Sequence, residues 1–207
     1  MRHSSIGLEI EHALWLQGIE RIAGVDEAGR GPLAGPVVAA SVIFPKEVII
    51  DGVDDSKKCS AKQREMFFKL IMEQAISVGV GIVDNEVIDR VNILQATILA
   101  MRKSIENMSI HPEYTLIDGN SFKHETLKFR NIIGGDAKSF TIAAASIIAK
   151  VTRDRLMCDL DARFPQYGFA RHKGYGTRQH IEAIRMHGMC DIHRRSFHPS
   201  ALQEKLI

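Results

Sequence analysis

Apolar positions in the first third of the chain come in short runs punctuated by glycine and proline, a spacing that suits strands better than helices. "RIAGVDE" (21–27) predicts a strand ending on two acids, and "GPVVAASVIF" (35–44) predicts a second, closed by Pro45. The Gly/Pro-rich link between them suits a tight reversal and hence an antiparallel pair. "CSAKQREMFFKLIMEQAI" (59–76) changes to a helical pattern with Ser60 as N-cap, and "VGVGIVD" (78–84) returns to a strand. From Asn85 the apolar residues Val87, Val91, Leu94, Ile98, Met101 and Ile105 keep the three- and four-residue spacing of one helix face. "YTLID" (114–118) and "FRNIIGGD" (129–136) predict two more strands. A long helix follows over roughly 141–163, its first half dense in alanine and suited to close packing. A shorter helix after Thr177 and an irregular tail complete the chain.

Three early strands, then strands alternating with helices, describe an α/β fold: a mixed β-sheet flanked by helices. At 207 residues a single domain (1–207) is expected, with a core over about 21–165 and a small, helical, basic C-terminal region over about 166–207. No internal repeat or linker is visible, and 45% hydrophobic with 25% charged residues excludes a low-complexity chain. The longest apolar runs, such as "TIAAASIIAKV", fall short of a membrane span, and "MRHSSIGLEIEH" is too polar for a signal peptide. No membrane contact and a cytoplasmic location are therefore expected. Cys59, Cys158 and Cys190 are odd in number and lack C-x-x-C spacing, which argues against a disulfide framework.

A net charge of +2 excludes nucleic-acid binding by bulk charge. The distribution changes that picture. Residues 171–195 hold Arg171, Lys173, Arg178, Arg185, Arg194 and Arg195 against Glu182 and Asp191, a local +4, with five histidines between 172 and 198. Such a stripe can be the footprint of a polyphosphate partner, or simply a solvated face.

Three predicted strands end on or just before an acid: Asp26 with Glu27, Asp118 in "LIDGN", and Asp136 in "IIGGD". Sites in open α/β sheets gather at strand ends. Four carboxylates brought together would raise one another's pKa unless cations sit among them, and hard ions such as Mg²⁺ and Mn²⁺ suit an all-oxygen cluster. Two such ions about 3.5–4 Å apart form the clamp used for in-line displacement at phosphorus. The bland alternative is that Asp118 and Asp136 cap turns, as Asp beside Gly commonly does. Gly29, Arg30 and Gly31 offer exposed N–H groups beside a cation, an anion cradle or merely a hairpin turn. Tyr175 in "HKGYGTRQH" suits stacking on a base or sugar, or packing back over the core. In "CDIHRRSFHP" the spacing of Cys190 and His193 hints at zinc, but no fourth ligand is evident, and His193 and His198 read as structural or phosphate-facing.

Taken together, "VDEAGRGPLAGPVVAA", "DSKK", "LIDGN", "GGDAKS", "AAASIIAKVTRDR", "FPQYGFARHKGYGT" and "HRRSF" resemble the bacterial ribonuclease HII family, from about residue 21 to 198. Only about twenty residues precede the first strand, which favours this type over ribonuclease HIII with its added N-terminal domain. The resemblance implies a ribonuclease H-like fold and an Asp-Glu-Asp-Asp site on Asp26, Glu27, Asp118 and Asp136, these being both catalytic residues and ligands of two Mn²⁺ or Mg²⁺ ions. It implies that Gly29, Arg30, Gly31 and Tyr175 read the ribonucleotide, with Lys57, Lys173 and Arg194 as further substrate contacts. Asp154 in "VTRDR" is a rival fourth acid, but its place between Arg153 and Arg155 suits an ion pair. The first strand is expected to break its pleat at Glu27 so that both carboxylates reach the metals.

The expected activity is hydrolysis of the RNA strand of RNA–DNA hybrids and cleavage at single ribonucleotides in duplex DNA, leaving 3′-hydroxyl and 5′-phosphate ends. The expected partners are those nucleic acids alone, bound by a monomer, with contact to a replication clamp left open. A non-catalytic hybrid-binding module and a DNA strand-transfer or junction-resolving nuclease are the competing readings.

Overall fold

A computed structural model describes residues 6–53 and 59–197. The elements run α1 (Glu9–Trp15), β1 (Ile22–Ala28), β2 (Val37–Ile43), α2 (Ala61–Gln74), β3 (Ser77–Val83), α3 (Asn85–Glu106), β4 (Tyr114–Asp118), β5 (Phe129–Ile132), α4 (Phe140–Arg163), α5 (Phe169–His172) and α6 (Arg178–His187). A 3₁₀ turn, Gly135–Ala137, stands between β5 and α4.

The five strands form one mixed sheet in the order β3-β2-β1-β4-β5. β1 pairs antiparallel with β2, as the reversal between them requires, and β2 with β3. β4 lies parallel to β1, and β5 parallel to β4. Strand alternation sorts the side chains between two apolar layers. Val25, Val37, Ala39 and Ile117 pack with Ala96, Ala100 and Met101 of α3. Ala40, Val42 and Phe44 pack with Phe140, Ala143, Ala144 and Ile147 of α4. Small residues let both helices sit close. A Cβ on Gly24 would run into the α4 backbone at Thr141, and one on Gly81 into the Ala100 carbonyl of α3.

Ser60 caps α2 in a capping box with Gln63, and Asp84 caps α3 through the Val87 amide. The continuous helix expected from Asn85 is broken, however. Asn92 takes φ 69° and ψ 166°, and its Oδ1 accepts from the amides of Leu94 and Gln95, so α3 is two helices meeting at an angle. The apolar spacing in the sequence runs through the break, but the buried face shifts there: Leu94 is exposed and Ile93 packs against the core instead.

Two helices were not predicted. The seven residues of α1 cannot hold a helix alone. They are held by Glu11, fully buried, whose Oε1 accepts from Ser139 Oγ at 2.7 Å and from the Thr141 amide at 3.1 Å. The short α5 is fixed by Phe169, which packs with Tyr167, Ala183 and Ile184 against Ala34 and Met157. That cluster seats the C-terminal region on the second half of α4 and on the loop between β1 and β2. The backbone sews the same junction: Leu33 N donates to Gly174 O, Gly35 N to Ile192 O and Arg194 N to Leu33 O.

Candidate active site

β1 continues beyond its partner β4. Pairing between them ends at Val25 with Ile117, whereas β1 still pairs with β2 through Glu27 and Ala28. Asp26 and Glu27 therefore stand at an open notch of the sheet, where β4 delivers Asp118. The expected break in the pleat does not occur. Instead the Asp26 carboxylate folds back along its own strand and accepts the Glu27 amide at 2.7 Å, and Glu27 has the longer reach. One carboxylate oxygen from each of Asp26, Glu27 and Asp118 can be chosen so that all three lie within 4.8 Å of one another.

Asp26 is buried, and its carboxyl is pushed well above the ordinary value, first by burial and then by the charges of Glu27 and Asp118. Ser146 of α4 offsets part of this with a hydrogen bond. Three converging carboxylates with only oxygen donors fit hard divalent cations, which relieve this repulsion. Asp136 is buried in the 3₁₀ turn and lies outside the group of three. Its turn nonetheless touches the group: the neighbouring Gly135 amide donates to Asp118 Oδ1 at 2.6 Å.

The glycine loop borders the same cleft, which Asp26, Glu27, Asp118, Ser146, Lys150 and Tyr175 also line. Arg30 reaches Glu27 Oε1 at 3.4 Å. Gly29 has φ +99°, and a Cβ there would collide with Arg153, so no other residue fits. Gly31 is different: a Cβ would meet only the Tyr175 ring edge at 3.8 Å, so the protein itself leaves room there. Tyr175 is 44% exposed rather than folded into the core.

Two of the basic residues expected at the substrate point elsewhere. Arg194 is fully buried and donates to Gly35 O at 3.0 Å, Arg30 O at 2.9 Å and Gly29 O at 2.6 Å. It shapes the loop from behind rather than meeting a ligand. Burial first, and then Arg153 nearby, lower its pKa to about 9. Because a trans peptide sets C=O and N–H on opposite sides, turning the Gly29 and Arg30 carbonyls onto Arg194 aims the Arg30 and Gly31 amides away from it. Lys173 bends onto Ala170 O at 2.6 Å and Cys158 Sγ at 3.0 Å, in a groove along α4 and α2. Lys57 and His198 lie outside the described residues. Asp154 does form an ion pair, but with Lys150 at 2.6 Å, not with a neighbouring arginine.

Ser146, Lys150 and Arg153 were missed. Their spacing along α4 puts them on one face, a stripe that could have been read once Asp26 was known to face α4. Arg153, fully buried, donates to Pro36 O, Lys173 O and Ala34 O, tying the loop to the segment that carries Tyr175. Cys190 and His193 do meet, Sγ to Nδ1 at 3.1 Å, but among the described residues the acids are the one group of three or more possible metal ligands.

Carboxylates gathered at the strand ends of a mixed sheet, in a cleft bordered by a glycine loop, define a metal-dependent nuclease of the ribonuclease H-like class. A family model described as Ribonuclease HII matches residues 23–200. A curated Ribonuclease HII of Acetivibrio thermocellus is 54% identical over 187 residues, covering 90% of this chain and 73% of its own. The crystal structure of ribonuclease H2 from Pyrococcus horikoshii superposes with a TM-score of 0.72 at 27% identity, covering 88% of this chain and 95% of that one. A PCNA:RNase HII complex from Archaeoglobus fulgidus gives 0.71 at 26% identity, covering 90% and 98%. This chain belongs to the ribonuclease HII family, and its activity is that of a ribonuclease H on RNA–DNA hybrids. Among the described residues no helix is long and apolar enough to cross a membrane.

Proposed function

We propose that the protein cuts both continuous RNA–DNA hybrids and duplex DNA carrying a single ribonucleotide, leaving 3′-hydroxyl and 5′-phosphate ends. The observation that carries this is the convergence of Asp26, Glu27 and Asp118 beside the glycine loop and an exposed Tyr175. Asp26, Glu27 and Asp118 would hold two divalent cations, Mg²⁺ or Mn²⁺, with Asp136 completing the set from its turn. Bound there, such ions supply the Lewis acidity that activates water and stabilises the leaving 3′-oxygen.

The rest is the work of the chain. The outward amides of Arg30 and Gly31 offer hydrogen bonds to a 2′-hydroxyl, the group that distinguishes RNA from DNA. The Tyr175 ring, standing over Gly31, packs on the sugar of the following nucleotide and favours a deoxyribose there, hence an RNA-to-DNA junction. Contact with a replication clamp belongs to the same reading, its support being the A. fulgidus complex with PCNA alone.

Asp118→Asn is expected to reduce cleavage by at least about 10³-fold with either ion while hybrid binding is largely kept, because phosphate contacts carry most of the affinity. Cleavage assays use three duplexes: a continuous hybrid, one embedded ribonucleotide, and all DNA. Normal turnover by Asp118→Asn, or cutting of the all-DNA duplex, overturns the assignment.

A further inference from the structure

Behind Tyr175 lies a set of buried imidazoles that the catalytic reading does not use. His180 and His193 are 0% and 1% exposed. Their Nε2 atoms are 3.0 Å apart, His180 Nδ1 lies 2.9 Å from the Tyr175 carbonyl, and the Cys190 amide lies 2.9 Å from His193 Nδ1.

The proton positions follow from the two ends. A carbonyl only accepts, so His180 Nδ1 carries the hydrogen and its Nε2 is the acceptor. His193 Nδ1 faces the Cys190 amide at 2.9 Å and, farther off at 3.3 Å, the Cys190 carbonyl, which already accepts the His193 amide. The Cys190 amide only donates and is the closer partner, so Nδ1 is the acceptor and Nε2 carries the hydrogen. These independent assignments agree at the middle bond. Three hydrogen bonds thus run one way, from the Cys190 amide through both rings to the Tyr175 carbonyl.

Neighbouring rings lock both imidazoles. His172 stacks on His180 at 4.5 Å, Phe169 meets His180 edge-on at 5.4 Å, and Tyr167 meets His193 at 5.0 Å. His172 also takes the Gly174 amide on its Nδ1. The turn needs such support, since Lys173 and Gly174 both have positive φ and Tyr175 sits between two glycines.

We propose that His180 and His193 are positioning residues for substrate selection: their hydrogen-bond chain fixes the Tyr175 backbone, and so the placement of the ring that senses the nucleotide after the ribonucleotide. This rests on the reading of Tyr175 given above. Burial holds both histidines below the ordinary imidazole pKa, His180 at about 4, which keeps the chain's polarity intact at neutral pH. A proton on His180 would set two N–H groups against each other across the middle bond.

The test uses the full chain with Mg²⁺, on a duplex with one ribonucleotide and on a continuous hybrid. His180→Asn keeps an amide N–H where Nδ1–H stood; His180→Gln fills the space but carries its amide at the Nε2 end, out of reach of the Tyr175 carbonyl. His180→Gln is expected to lower junction cleavage on the order of 10- to 100-fold relative to the hybrid, the scale of a small misplacement. His180→Asn is expected to restore most of it. Added to Tyr175→Ala, His180→Gln is expected to cost nothing further, because both act through one ring. Equal loss on both substrates, or a full additional loss in the double variant, overturns the chain as a positioning device. Wild-type junction cleavage by Tyr175→Ala overturns the Tyr175 reading instead, and the proposal with it. If His180→Gln fails to fold by thermal melting, His193→Leu, which removes the donor to His180, takes its place with the same expectations.

Discussion

Asp26 pays a cost in the metal-free protein. Its carboxyl is raised by burial, then by Glu27 and Asp118, so the fold disfavours the ionised form. Its contribution falls as pH rises from its unfolded value of about 3.8 toward the higher folded one, so at neutral pH the buried carboxyl costs stability. Asp26→Asn is therefore expected to raise the Tm of the metal-free protein, about 2–4 °C for each kcal/mol recovered in a chain of this size, while abolishing cleavage. Added Mg²⁺ should stabilise the wild type and leave Asp26→Asn nearly unmoved; melting curves with and without the ion decide it. These acids were legible because each ends an apolar run. Arg194 and Lys173 were not. Sequence marks a charge but not the direction of a long side chain, and Arg194 turns inward to three carbonyls.

At the level of elements, the loop after β1 owes its shape to residues more than a hundred positions away. Arg194 spans Gly29, Arg30 and Gly35 with the fork of its guanidinium, which a single ammonium cannot reproduce. Arg194→Lys is expected to cost about 2–4 kcal/mol in urea unfolding, since hydrogen bonds to a charged group are worth about 1.5–3 kcal/mol each and some are kept. Cleavage of hybrid and junction substrates should fall together, because the whole loop loosens; a selective loss on one substrate would count against this role. Strands β1 to β5, the cap Ser60 and a helix beginning after Thr177 were readable from local pattern. The break at Asn92 and the helix α1 were not, since the first keeps the apolar spacing and the second depends on Glu11 reaching α4.

Across the whole molecule, the C-terminal region is organised internally around the buried neutral histidines His180 and His193, which makes its fold sensitive to acid. His180 and His193 bind a proton near pH 6.5 when unfolded and only lower when folded, His180 at about 4. Between these values the unfolded chain holds more protons, so stability falls as pH drops below about 6.5 and gains nothing from them above it. Thermal melting at pH 7 and pH 5 should show a smaller decline for His180→Asn than for the wild type; equal declines would remove His180 from the account. Asp26 works in the opposite direction at low pH, so the difference between variant and wild type is the informative quantity.

Periodicity and strand-end chemistry, both local properties, were enough to determine the mixed sheet, the antiparallel start and the acids Asp26, Glu27 and Asp118. What only the tertiary structure decided is how far each strand outruns its neighbour and which way the long basic side chains turn. The notch exists because β4 stops pairing with β1 at Ile117 while β1 continues beside β2, a fact of register between segments some ninety residues apart. Likewise the histidines of "HKGYGTRQH" and "CDIHRRSF" become a single chain only when α6 and the segment after it fold onto the same aromatic cluster. Sequence carries the donors and acceptors, and packing against Phe169 and Tyr167 selects which of them meet.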